Sequence, residues 1–191
     1  MEQGYKKIFW GFLIAIFDIN LGSVNILPDF IGYFILGSGV YILYEEFETK
    51  DFKIANSLAN LLMCYSLFMA ILSYGFSNNL IGAGLDLHPI KQIIDKGLSI
   101  LVSSIILIMA FNIISGTINL YREREQLTEA DNLEKTQRKY VVLNIIGLVL
   151  EAIALNISNK LFITVAGLYL IIITVYFAKI VSNIRKTIEV V

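Results

Sequence analysis

Apolar positions along this chain fall into six runs, separated by short polar or charged stretches. Ile8 to Phe17 form the first apolar core, and Asp18, Asn20, Ser23 and Asn25 follow it closely. That core is too short to cross a bilayer alone, since crossing takes roughly 20 residues. The pattern therefore predicts a first span from about Tyr5 to Leu27, or else a re-entrant piece. Helical spacing favours the span. Gly11, Ala15, Asp18, Gly22 and Asn25 follow steps of four and three and share one small, polar face. Pro28 suits the first turn of the next helix, and Asp29 beside it suits the positive end of a helix dipole. A second span is predicted over Asp29 to Tyr44. Its Asp29, Gly32, Leu36 and Gly39 form another narrow face, so the first two helices are expected to pair as a tight hairpin.

The remaining runs predict spans at Ile54 to Phe76, Leu98 to Leu120, Val141 to Ile157 and Leu161 to Val181. Pro89 marks the start of the helix that carries the fourth, and the Gly/Asn-rich stretch Ser77 to Leu87 precedes it. Asn112, Ser115, Gly116 and Asn119 are spaced as one face of that fourth span. Tyr121 to Tyr140 is the longest polar segment. Thr128 and Asp131 are spaced as a capping box, and Asp131–Lys135 and Glu134–Arg138 as favourable i,i+4 pairs. A helix starting near Glu129 should run straight into the fifth span. The fold class expected is all-α: one integral membrane bundle of six transmembrane helices over residues 1–191, with 121–140 as a charged connection inside it. Gly11, Asn20, Gly32 and Tyr41 are echoed by Gly147, Asn156, Gly167 and Tyr176, which hints at an internal repeat of hairpins.

Composition supports the membrane reading. Hydrophobic residues make up 57% of the chain, charged residues 16%, and the mean hydropathy is +0.71. A soluble chain of this length has too much surface to hide so much apolar material. The two lysines before the first apolar core resemble a secretory signal. A small-residue cleavage site is missing and Asp18 interrupts where one would stand, so the segment reads as a retained span. Basic residues are distributed unevenly. If six spans are counted, the side holding both termini and the second and fourth connections carries 12 Lys and Arg, against 3 on the other. That asymmetry predicts both termini in the cytosol and a multi-pass location in a cell membrane.

Charge and rare residues narrow the chemistry. A net charge of −1 argues against nucleic acid as a partner, because a phosphate-binding face needs a basic excess. Cys64 is the one cysteine and His88 the one histidine, so disulfides within the chain, cysteine metal clusters and paired-imidazole mechanisms are excluded. Asp86 and His88, two apart, do not make a metal site, and no cofactor is expected.

Asp18 and Glu151 are the acids that fall inside predicted spans. Intramembrane ionisable residues are costly and mark functional sites by default. Glu151 shares a face with Asn144, Gly147, Ala154 and Ser158, much like the face around Asp18. The two acids are expected to form one internal polar site for a cation, a proton or a polar substrate; helix packing through hydrogen-bonded acids explains the same pattern. Asn20, Asn25 and Asp29 could add oxygen ligands at an outer mouth, and turn formation or capping explains them equally.

Enzyme signatures are incomplete. Gly82 to Asp86 resembles the Gly-x-Gly-Asp motif of intramembrane aspartyl proteases but is one residue too long. Glu45 to Lys50 resembles the first motif of CAAX-type membrane proteases, with Lys50 where Arg stands and the histidine motifs missing. The chain reads as a non-enzyme. The stretch INLGSVNILPDFIGY resembles an N-terminal signature of small multi-pass membrane proteins of Gram-positive bacteria, which carry LPDFIGY at the start of their second helix. That resemblance implies a bacterial membrane protein and brings no activity. In length and span count the chain also looks like the substrate-binding subunit of energy-coupling-factor vitamin transporters, although Gly11 and Ala15 replace the Ala-x-x-x-Ala of that family.

Two functions are left. The first is binding or transport of a small polar solute or cation from the outer side. The second is a membrane factor that docks a protein partner on the cytosolic face through 121–140.

Overall fold

Helix α1 (Glu2–Ile16) is followed by two extended pairs, β1 (Asn20–Leu21) and β2 (Val24–Asn25), and then by α2 (Asp29–Phe47). In this computed structural model, α3 (Lys50–Ser77), α4 (His88–Glu123), α5 (Leu127–Asn156) and α6 (Lys160–Glu189) complete the chain. The structure describes residues 1–16, 20–21, 24–25, 29–77, 88–157 and 160–189, with backbone alone at 16, 20–21, 24–25, 73–77, 88–97, 155, 160 and 189.

The helical first span expected from Tyr5 to Leu27 is corrected. Helix α1 ends at Ile16, and β1 pairs antiparallel with β2, Asn20 opposite Asn25 and Leu21 opposite Val24. Short polar side chains such as Asn and Ser compete with the helix for backbone hydrogen bonds, and Gly adds backbone entropy. That local chemistry outweighs the apolar period. The 15 residues of α1 rise about 22 Å, less than the roughly 30 Å of a hydrocarbon core.

The hairpin itself forms as the small faces require. A Cβ on Gly11 would run into the Leu36 backbone, and one on Gly32 into the Ala15 backbone. Further along, a Cβ on Gly39 would stand 2.6 Å from Gly4 O. Only glycine allows backbones to approach this closely. Gly37, on another face of α2, looks toward Ala59 and Asn60 of α3.

Each helix packs on the next in the chain, and α6 returns to α1, so the six close into a ring. Tyr5, Ile8 and Phe12 of α1 point inward; Phe12 meets Phe177 edge-on, and Phe177 meets Tyr140. Tyr5 Oη and Thr117 Oγ1 are 2.6 Å apart in a buried hydrogen bond that ties α1 to α4. Thr117 donates in turn to Ile113 O. That satisfies polar atoms that would be costly inside an apolar core.

Met1 and the end of α6 lie at the same end as the turns 48–49 and 124–126. The Met1 ammonium sits 2.5 Å from Glu46 Oε2, and the Arg124 guanidinium lies 5.7 Å from the centre of the Phe47 ring. Both turns use a left-handed residue, Glu48 (φ 49°) and Glu125 (φ 59°). At the second, Glu125 N–H donates to Arg122 O and Gln126 N–H to Tyr121 O. That is the Schellman closure of a helix, with Glu in the place usually held by Gly. Helix α5 then starts at Leu127, with Gln126 as its N-cap and no side-chain cap hydrogen bond. The capping box expected at Thr128 is therefore corrected: Thr128 is already inside the helix, because the Schellman turn sets the start. From there α5 runs unbroken to Asn156, as expected.

The surface is apolar around its waist. Leu61, Phe68 and Ile71 on α3, Ile145 and Val149 on α5 and Ile172 on α6 are among the exposed large side chains. Among the described residues, three segments are long and apolar enough to cross a membrane: Lys50–Leu72, Leu98–Glu123 and Leu161–Ile188. An apolar surface this extensive belongs against lipid or protein rather than water.

Candidate functional site

At the end of the ring opposite the termini, α2, α3 and α4 leave a cavity of about 270 Å3. Asp29 enters from the first turn of α2, where the helix dipole favours an acid. Tyr33 lies four residues on and so on the same face. Tyr65, Ser66 and Met69 of α3 and Val102 of α4 complete most of the wall. The volume sits just below the roughly 300–1,000 Å3 usual for small-molecule sites, so an occupant would be small. One carboxylate, two phenols and a hydroxyl make a wall suited to a positive charge. The carboxylate supplies opposite charge, and aromatic faces attract cations.

Of the residues proposed from the sequence, Asp29 is in this cavity. Asp18 lies outside the described residues, and so do the side chains of Asn20 and Asn25; their backbones are held opposite each other in the β1–β2 pair. Glu151 is elsewhere. It is 7% exposed on α5, and its Oε1 accepts a hydrogen bond from Ser99 Oγ of α4. Oε2 of Glu151 is buried with no hydrogen-bond partner among the described residues. No α5 residue lines the Asp29 cavity among the described residues. The stripe drawn through Glu151 divides between two neighbours. Gly147 packs on Leu170 and Ile173 of α6, Glu151 meets α4, and Asn144 donates back to Tyr140 O. The face expected on α4 divides likewise: Ser115 faces Gln137 of α5, while Gly116 meets Phe52 and Asn119 bonds Asp51, both of α3.

Tyr33, Tyr65, Ser66 and Ser99 were not singled out in the sequence. The i,i+4 step from Asp29 to Tyr33, and the polar pair Tyr65-Ser66 within an apolar run, were the available signals.

The segment 121–140 is half built into the bundle. Ala130, Leu133, Gln137 and Tyr140 are buried, and Gln137 Nε2 donates to Phe111 O and to Ser115 Oγ. Its outer side carries the charge. Glu134 accepts from Arg138 at 2.7 Å and from Arg122 at 2.6 Å. The Arg138 hydrogen bond, with the charges of Arg138 and Arg122, holds the Glu134 carboxyl below its ordinary range. The pair expected between Asp131 and Lys135 does not form among the described ion pairs. Beside this segment, a cleft of about 320 Å3 opens between α5 and α6, with Glu129, Asn132, Lys179 and Asn183 in its wall beside Leu133, Ile180 and Ile184.

No protein-family model, curated protein or solved structure matches this chain.

Proposed function

We propose that this membrane protein binds a small, positively charged polar solute from the outer side, in the cavity walled by Asp29, Tyr33, Tyr65 and Ser66. The observation that carries the reading is the cavity itself: an acid and two phenols around about 270 Å3, at the end away from the termini. The proposed topology has six spans with both termini in the cytosol, supported by the 12-to-3 basic asymmetry and by the common end of the termini. The short α1 then crosses only together with the β1–β2 segment that follows. The cavity opens outward in that topology, and the chain acts as a binding or transport protein without catalysis.

Purified protein in mild detergent would be heated with a panel of primary and quaternary amines, using sodium and potassium chloride as controls. A ligand that binds only the folded state stabilises it by about 2.7 kcal/mol at a hundredfold excess over its dissociation constant. At least one amine should raise the unfolding midpoint, and Asp29→Asn should remove that rise while unfolding cooperatively. A panel without effect, or an Asp29→Asn protein with the full response, ends the proposal.

A second reading has its own support. The charged outer side of 121–140 and the adjoining cleft of mixed polar and apolar lining would suit docking of a protein partner at the cytosolic face. Co-purification that is lost on substituting Glu129 and Asn132 would favour it.

A further inference from the structure

The surface of α5 and α6 changes character at one level. On α5, Val142, Ile145, Ile146 and Val149 are exposed, and Arg138 and Lys139, one turn earlier, are exposed as well. On α6 the exposed apolar run ends at Val175, and Lys179 follows one turn later. These helices run antiparallel, with Tyr169 Oη donating to Leu143 O and Tyr140 near Tyr176. The two changes therefore coincide in height and mark where an apolar layer meets water.

A shallow groove of about 450 Å3 straddles that level, lined by Arg138, Lys139, Val142, Leu143 and Tyr176. Its cations stand on the water side and its aliphatic wall on the apolar side. Arg138 gives one nitrogen to Glu134 and its side chain is 78% exposed, so other guanidinium donors face outward. Lys139 makes no ion pair among the described residues. Glu134 is shared with Arg122. Among the described residues, two cations and no carboxylate line the groove itself. Lys179 and Glu129 both line the adjoining cleft.

We infer that this groove holds an anionic phospholipid, its phosphodiester between Arg138 and Lys139 and an acyl chain along Val142 and Leu143. Tyr176, amphipathic and at the boundary, stands where aromatic residues meet headgroups. A zwitterionic lipid brings its own cation to the same place and gains little from two more. Each basic residue near an anionic surface changes affinity about fivefold. The pair should therefore favour phosphatidylglycerol over phosphatidylcholine of the same chains by tenfold or more.

Native mass spectrometry of the full chain, titrated with each lipid, reads this directly. Glycerol phosphate is the control for headgroup chemistry without a chain. The selectivity for phosphatidylglycerol should fall at least fivefold in Lys139→Gln and further in the double variant Arg138→Gln/Lys139→Gln. The double variant Lys50→Gln/Lys53→Gln, exposed at the same end on α3, should keep it. Lys139→Gln alone decides the matter if the double variant does not purify. Equal binding of the two lipids, undiminished selectivity in Lys139→Gln, or equal binding by glycerol phosphate overturns the inference. So does a co-purifying polypeptide that is lost with these substitutions while the lipid selectivity stays.

Discussion

Ser99 Oγ donates a hydrogen bond to Glu151 Oε1 across the seam between α4 and α5. The acid begins nine residues beyond Val142, where the outward surface turns apolar. At 1.5 Å per residue that is about 14 Å along the helix axis. Its other oxygen is buried without a described partner, so the hydroxyl carries much of the polar satisfaction of this side chain. Ser99→Ala is expected to cost about 1–3 kcal/mol, the usual penalty for a buried group left unsatisfied. Thermal unfolding in detergent measures it. An unchanged midpoint would mean that Glu151 finds other partners.

The hairpin of α1 and α2 makes a sharper prediction about single glycines. A Cβ at Gly32 meets the Ala15 backbone, which cannot swing aside, while one at Gly37 meets Ala59 Cβ at 3.4 Å, an ordinary contact. Gly32→Ala should destabilise by about 1–3 kcal/mol or more, as overpacking does, and Gly32→Leu should abolish expression. Gly37→Ala should be near neutral. If the two alanine variants unfold alike, the close approach of the helices is wrong.

The echo between Gly32 and Gly167 can be tested in the same way. Among the described residues, nothing lies within 4 Å of a Cβ placed on Gly167, and the atoms nearest one on Gly147 are side chains of α6. The second hairpin thus lacks the backbone contact of the first, and a repeat in sequence does not extend to the packing. Gly167→Ala should be neutral, or stabilising by up to about 1 kcal/mol through helix propensity. A loss like that of Gly32→Ala would restore the equivalence.

Acid should separate the native protein from Glu134→Gln. The Arg138 and Arg122 guanidiniums hold the Glu134 carboxyl below its ordinary value near 4.5. A depressed carboxyl contributes stability that is fully present above the ordinary value and is lost as pH falls through the lower folded value. The unfolding midpoints of the two proteins should therefore differ at pH 7 and converge at strongly acid pH. The difference should also shrink in high salt, because the group is accessible to solvent. A gap that persists in strong acid would point to packing rather than charge.

Orientation has a direct measurement. Cys64 is exposed and can be replaced by Ser. Single cysteines at Asn79 and at Thr128 would then be labelled in intact cells with a membrane-impermeant maleimide. Label at Asn79 and none at Thr128 is expected for six spans with cytosolic termini. The reverse pattern inverts the protein, and label at both positions breaks the span count.

The apolar runs by themselves determined much of this protein. They located α2 to α6 closely, because an uninterrupted apolar stretch leaves a helix as the economical way to bond its own backbone in lipid. Glycine spacing also revealed the hairpin, since Gly32 and Gly39 have few other uses on one helix face. The charged segment could be read as continuing into α5 because nothing between Glu129 and Val141 breaks a helix. Tertiary structure decided the rest. The antiparallel pairing of Asn20–Leu21 with Val24–Asn25, where a continuous helix was expected, is a backbone arrangement that a periodicity does not register. The partners of Glu151 and Asp29 depended on ring order. A helix period fixes which residues share a face, but a face in a closed ring meets two neighbours. That is why Gly147 and Glu151, one turn apart, look to α6 and α4 respectively, and why Asp29 found its company in Tyr65 and Ser66 of α3.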